Sequence, residues 1–231
     1  MRLSILVLLF SPLLYKVESE TRSIHINCES EDPGFNLESA DYRDPDLLVL
    51  DQCSLQDIEF WLRFLEKNYS NFITLWLKGV KVSEMGFRTE NPHCAGTHKK
   101  LEKLKISETE FTEKNGETLE SLLRCRSIST LEVTDNIQGF FSRIQASNIT
   151  LLNASNSNIK ELQDGVFSDL KNLEELDLSR NRLVKLQGGV FRNNRRLEKL
   201  HLQFNTISFI SRQSFIGNNL IKTIFFHYNY F

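Results

Sequence analysis

The chain lacks the short motifs that catalysis usually leaves in a sequence. No G-x-S-x-G, no H-E-x-x-H, no phosphate-binding glycine loop and no C-x-x-C occurs in its 231 residues. Without a positioned nucleophile, base or metal set, neither enzymatic activity nor a cofactor is expected. His93, Cys94 and His98 in PHCAGTH come nearest to a metal site, but a fourth ligand is missing and no metal is expected there. After Ser19 no apolar run approaches bilayer length, and no C-terminal lipid-anchor pattern is present, so no membrane insertion is expected. A basic balance is absent too. The formal net charge is −2, from 28 basic and 30 acidic residues, which disfavours nucleic acid as a partner.

What is present begins with a leader-like N-terminus. Arg2 supplies a positive start, Leu3 to Leu14 is apolar except for Ser4, Ser11 and Pro12, and Val17-Glu18-Ser19 ends on a small residue. Residues 1–19 therefore read as a cleaved secretory signal, too short to span a bilayer. The product should be secreted and extracellular. Without those residues the chain keeps 26 basic and 29 acidic groups, unevenly spread. Residues 28–59 hold ten acids against Arg43 alone, whereas residues 171–200 hold eight bases against four acids. Such a gradient can steer a charged partner toward one end, and it is also what an ordinary solvated surface presents.

Internal periodicity dominates the rest. LEELDLSRNRLVKLQGGVFRNNRR begins at Leu173, LEKLHLQFNTISFISRQSFIGNN at Leu197 and IKTIFFHYNYF at Ile221, in steps of 24 residues that extend back to Ile149. Earlier units start at Ile128, Leu101, Phe72 and Pro45, with lengths between 21 and 29. Three residues into each unit stand Leu48, Leu75, Leu104, Leu131, Leu152, Leu176, Leu200 and Ile224. Five in stand Leu50, Leu77, Ile106, Val133, Ala154, Leu178, Leu202 and Phe226. Alternation of this kind predicts a short strand with its apolar side chains on one face. Stacking neighbouring units buries them, which no single unit can do.

Eight residues in, the positions read Cys53, Val80, Thr109, Asn136, Ser157, Asn181, Asn205 and Asn229. An Asn or Cys there can satisfy backbone groups as the chain leaves the strand. The next core position reads Leu55, Val82, Phe111, Gln138, Ile159, Leu183, Ile207 and Phe231, with Gln138 as the outlier. Eighteen in, Phe167, Phe191 and Phe215 recur and should fill the space beneath the far side.

This pattern resembles the extracellular, typical 24-residue leucine-rich-repeat class of Toll-like ectodomains and Slit-like secreted proteins. The likeness is closest over 149–231 and looser over 45–148, where Val80, Thr109 and Gln138 depart from it. It implies an α/β repeat fold, a right-handed curved solenoid of about eight repeats with a parallel β-sheet on its concave face. It also implies binding of another protein there or on a flank, in adhesion, guidance or innate immunity. The ligand itself is left open.

A solenoid needs its end cores covered. Residues 20–44 read as an N-terminal cap, in which Ile24, Ile26 and Cys28 could pair beside Leu48 and Leu50. That register brings Cys28 near Cys53, and equal levels on adjacent coils bring Cys94 near Cys125. These are the favoured pairings of three; the competing reading leaves Cys53 free within the asparagine row. The family's denser cysteine caps are missing. The repeats run from 45 to 231 and stop partway through a unit. The chain is then a fragment, a truncated product, or a structural component that self-associates through its final strand.

The outward strand positions supply the candidate ligand-binding residues: Trp76, Lys105, Asp177, His201, Phe204, Phe225, His227 and Tyr228. Exposed aromatics among charges are interface materials. A basic cluster, Arg192, Arg195, Arg196 and Lys199, is a second candidate, for sulfated glycans. Three N-x-S/T sequons stand at Asn68, Asn148 and Asn153, the last of them on the concave strand row. Mass spectrometry of the secreted chain is expected to find an N-terminus after Ser19 and glycans on these asparagines; three bare asparagines would remove the glycoprotein reading.

Overall fold

In the computed structural model the described residues are 14–18, 23–29, 46–53, 58, 73–80, 101–109, 127–135 and 148–230. Ten strands form one sheet. They are β1 (Leu14–Glu18), β2 (Ser23–Asn27), β3 (Leu47–Asp51), β4 (Thr74–Lys78), β5 (Lys103–Ser107), β6 (Thr130–Val133), β7 (Leu151–Asn153), β8 (Glu175–Asp177), β10 (Lys199–His201) and β12 (Thr223–Phe225). Two short strands, β9 (Lys185–Leu186) and β11 (Phe209–Ile210), make a separate parallel pair on the return side of two coils. Among the described residues no helix is long and apolar enough to cross a membrane.

From β2 onward each strand of the large sheet pairs in parallel with the strand of the next coil. The register is that of the sequence repeat. Leu48 stands opposite Leu75, then Leu104, Leu131, Leu152, Leu176, Leu200 and Ile224 in turn. The first seven are almost wholly buried, and so are Leu50, Leu77, Ile106, Val133, Ala154, Leu178 and Leu202 five residues into their units. Ile224 and Phe226, in the last coil, are only partly buried against this core. At roughly 1.5–3 kcal/mol for each buried leucine, the row is the chief apolar contribution to the fold. Phe167, Phe191 and Phe215 form a second row, stacked at centroid distances of 6.1 and 5.8 Å, where the 24-residue step placed them.

Strand β1 pairs antiparallel with β2, Tyr15 opposite Ile26. It lies inside the segment read as a leader, so cleavage after Ser19 would leave β2 at the sheet edge. Strand β2 pairs with β3 in the anticipated register, Ile24 on Leu48 and Ile26 on Leu50. Cys28 and Cys53 are joined in a disulfide, which excludes the reading of Cys53 as a free member of the asparagine row. The Cys94–Cys125 pairing lies outside the described residues, as do His93, His98, Gln138 and the sequon at Asn68.

Each strand ends in a backbone device that the sequence only partly announces. The residue seven into the unit has a positive φ in all eight coils: Gln52, Gly79, Glu108, Asp135, Asn156, Arg180, Phe204 and Tyr228. In Gln52, Gly79, Asn156, Arg180 and Phe204 its N–H still donates across the sheet, as from Arg180 to the Gln203 carbonyl at 3.0 Å and from Phe204 to the His227 carbonyl at 3.2 Å. The left-handed turn then swings the next residue inward, where its backbone neighbours have lost their strand partners.

Asparagine meets that need. Asn181 Oδ1 accepts the N–H groups of Ser157 at 2.9 Å and Ile159 at 3.0 Å, one coil back. Its amide N–H groups go to the carbonyls of Ala154, Leu178 and Ser179. Asn205 does the same for Leu183, and Asn229 for Ile207. Where the asparagine is absent, hydroxyls take over in part. Thr109 accepts from Val80 N–H, and Ser157 donates to a carbonyl within hydrogen-bond reach. A second row, not foreseen, consists of Asn194 and Asn218, which donate to the carbonyls of Phe167 and Leu170 and of Phe191 and Asn194 respectively. The twice-recurring Asn-Asn pair, 193–194 and 218–219, was its signal in the sequence.

Two substitutions separate these contributions. Leu176→Ala is expected to cost about 2–5 kcal/mol through cavity formation. Asn181→Ala is expected to cost about 3 kcal/mol or more, because two buried N–H groups lose their acceptor. Urea unfolding checks both; a loss below about 1 kcal/mol for Asn181→Ala would show that the row is not what satisfies the turn.

Candidate functional site

The outward face of the sheet collects two rows, four and six residues into each unit, and the left-handed position adds a third along the rim. In strands the outward residues alternate with the buried leucines, so all three rows follow from the same register. The structure brings the candidate residues onto one side of the sheet but divides them into two groups.

The first group surrounds Trp76 on β4. It is less exposed than its place in the outward row implied. Its indole N–H donates to Ser107 Oγ at 2.8 Å, and Lys105 Nζ stands 4.2 Å above the ring. Lys105 also reaches Glu132 at 3.6 Å, and Lys103 pairs with the other oxygen of the same carboxylate. Lys78 lies between Asp51 at 3.4 Å and Glu108 at 3.8 Å. Charges here are matched across neighbouring strands. Beside them an open groove of about 510 Å³ is lined by Asp46, Leu47, Ile73, Thr74, Trp76, Lys103 and Lys105. Glu132, which fixes both lysines, was not singled out in the sequence, because its role appears only when the strands are in register.

The middle of the face is polar and small. Asn153 on β7 uses Oδ1 to accept the Ser155 N–H at 3.0 Å, and Asp177 on β8 accepts the Ser179 N–H at 2.8 Å. Asp177 is thus engaged by its own strand end. The sequon asparagine Asn153 is half-buried between them.

The second group is aromatic. His201 on β10 stacks on Phe225 of β12 at 4.5 Å, and its Nε2 is 3.3 Å from Glu175 Oε1. Lys199 pairs with the same glutamate at 3.2 Å. Along the rim Phe204 stacks on Tyr228 at 4.6 Å, with His227 edge-on to both rings. Arg180 completes the stack, its guanidinium 4.5 Å from the centre of the Phe204 ring. Phe204 remains 39% exposed and Tyr228 69%. Large side chains at a left-handed position cost about 1 kcal/mol or more, which Gly79, Asp135 and Asn156 at equivalent positions largely avoid. Those three residues were the available sign that this position is left-handed. Arg180 and Gln203 were not among the candidates; Gln203 Oε1, next to Phe204 in the chain, is buried without a hydrogen-bond partner among the described residues.

The basic cluster divides. Arg192 pairs with Asp164 and Lys199 with Glu175, while Arg195 and Arg196 are exposed on the turn that follows. Among the described residues no group of three His, Cys, Asp or Glu side chains could hold a metal ion.

Comparison with known proteins agrees with this architecture. Residues 147–205 and 171–231 match the family described as leucine rich repeat. Among solved structures, the TLR13 chain of a TLR13–ssRNA13 complex matches with a TM-score of 0.60 at 23% identity, over 82% of this chain and 26% of that one. Human 5T4, also described as Wnt-activated inhibitory factor 1 or trophoblast glycoprotein, matches with a TM-score of 0.62 at 19% identity, over 95% of this chain and 81% of that one. The chain spans about a quarter of the TLR13 chain. At these identities the likeness establishes the leucine-rich-repeat solenoid fold. No curated protein matched the sequence.

The Lys103–Glu132–Lys105 triad makes a test of the first group. Its side chains are 19–34% exposed, so Glu132→Gln is expected to cost no more than about 1 kcal/mol at low salt. The difference should shrink at 1 M salt. Denaturation midpoints in the two buffers check this, and an effect that ignores salt would point to packing.

Proposed function

We propose that this leucine-rich-repeat solenoid is a secreted, extracellular binding module, without catalytic activity, that recognises another protein through its concave sheet face. The observation that supports it best is the exposed aromatic cluster at the C-terminal strands. Phe204, Phe225 and Tyr228 keep 37–69% of their surface accessible although the apolar core lies directly beneath. Stacked rings that are already ordered lose little freedom on binding, which is why aromatic side chains make effective anchors.

Further support comes from the disulfide between Cys28 and Cys53, which suits an oxidising, extracellular setting. The leader-like residues 1–19 point the same way. The middle of the face, around Asn153, carries a sequon, and a glycan there would favour contact at the two ends of the sheet over contact at its centre. The TLR13 chain was solved with single-stranded RNA. For this chain, with a net charge of −2 and its concave lysines neutralised by Asp51, Glu108 and Glu132, a protein ligand is the better fit. Adhesion, guidance and innate immune recognition are the settings that such a module serves.

The mature chain, immobilised and exposed to secreted fluid and cell-surface extract, is expected to retain a protein partner. Phe225→Ala and the double variant Trp76→Ala/Phe225→Ala, each with an unchanged far-ultraviolet spectrum, are expected to lose it. Undiminished retention by the double variant would overturn the concave-face reading.

A further inference from the structure

The column formed by Arg180, Phe204 and Tyr228 is the least economical feature of the surface. Three consecutive coils place a large planar side chain at a backbone position with φ between 55° and 58°. All three side chains are exposed, so burial does not explain their presence. The coil before them uses Asn156, a residue at ease in this conformation, and the turn closes there by the same cross-sheet hydrogen bond, Asn156 N–H to the Ser179 carbonyl at 3.0 Å. The turn itself therefore does not require Arg, Phe or Tyr. Long side chains also stand at this position in Gln52 and Glu108, but only Arg180, Phe204 and Tyr228 stack on one another. Such strain held on exposed side chains is a sign of function.

The chemistry of the column is asymmetric. One face of the Arg180 guanidinium rests on Phe204, and among the described residues no carboxylate pairs with it. Its N–H edge is thus available to an acceptor. At the other end Tyr228 stacks on Phe204 through one ring face, and 69% of the residue is accessible. Along the same rim the charge changes sign from Asp135 to Arg180, so an acidic segment is drawn to the Arg180 end. The contrast with the strand lysines is direct. Lys78, Lys103 and Lys105 are already held by Asp51, Glu108 and Glu132, whereas among the described residues Arg180 is held only by a ring.

The geometry points to a rim site for an acidic, aromatic-containing segment of a partner protein. A carboxylate accepts the two N–H groups of the Arg180 fork, and a planar side chain of the same segment packs against the exposed Tyr228 ring. The guanidinium suits this because its planar fork matches a carboxylate while its face stays on Phe204. The site rests on the reading of this side of the sheet as a recognition surface, and it names the chemistry that one end of that surface accepts.

A random copolymer of glutamate and tyrosine, immobilised for interferometry, is the probe, with polyglutamate and heparin in parallel. The full mature chain is expected to bind the copolymer more tightly than either control and to release it as salt rises. Arg180→Gln and Tyr228→Asn are each expected to weaken binding about tenfold or more. Arg180→Lys should not restore it, because an ammonium supplies charge without the planar fork. Tyr228→Asn is also expected to leave the melting temperature level or raised, since Asn tolerates the left-handed turn. A melting temperature that falls as far as that of a buried leucine variant would make the column structural and overturn the inference. So would absence of copolymer binding, or heparin binding that depends on Arg180 to the same degree. None of these results bears on partner retention by the Trp76 and Phe225 variants, so the two readings fail separately.

Discussion

Turning a chain inward directly after a buried strand strips backbone N–H and C=O groups of their sheet partners, and this molecule rests on how it replaces them. Leaving such groups unpaired in an apolar interior costs about 1–3 kcal/mol each, and the defect would recur in every coil. In the last three coils one asparagine each resolves it, because a primary amide is both acceptor and donor and is short enough to lie within the turn. Asn181 alone serves two N–H groups of the preceding coil and shares its own N–H groups among three carbonyls. The leucine row supplies most of the apolar free energy, but only with the polar account closed can those leucines sit so deep. In the first coil the place is taken by Cys53, whose partner Cys28 ties β2 to the stack covalently.

The same backbone geometry shapes the surface. The residue that must turn left-handed is also the one whose side chain emerges at the rim, so the position is at once constrained and available. Where it holds Gly, Asp or Asn the rim is quiet. Where it holds Arg180, Phe204 and Tyr228 the rim carries a stack of planar groups. The N-terminal part of the sheet is different in kind. Its lysines and carboxylates neutralise one another between neighbouring strands, and Trp76 is held by Ser107 and covered by Lys105. The face is therefore not one uniform surface but a charge-matched end and an aromatic end, separated by short polar residues.

Much of this was legible before any coordinates. The register from Leu48 to Ile224, the phenylalanine row, the Cys28–Cys53 pairing and the asparagine positions all follow from fixed positions within a repeat that is 24 residues long after Ile149 and 21 to 29 before it. They are legible because each depends on a property fixed by position within a coil. Contacts between coils were not. Glu132 joins two lysines of an adjacent strand, and Arg180 covers a ring one coil further on, at separations set by coil length and not by any local motif. The partial covering of Trp76 was missed for the same reason: its partners Ser107 and Lys105 come from the next coil. The left-handed row was present in Gly79, Asp135 and Asn156, yet aromatic residues at the same position concealed it.

The asparagine bonds that cross between coils all run one way along the stack. Asn181 serves Ser157 and Ile159, Asn205 serves Leu183, and Asn229 serves Ile207, each reaching back by a single coil. A gene duplication that inserts one whole unit between 149 and 220 would give every donor a new but equivalent acceptor. A one-residue change inside a strand or its turn would break the hand-off at that seam and rotate the leucines out of line, whereas the return segments tolerate it, as the units of 21 to 29 residues before Ile149 show. The sheet face of such a chain therefore grows over evolutionary time by whole coils, while smaller changes of length are confined to the return segments.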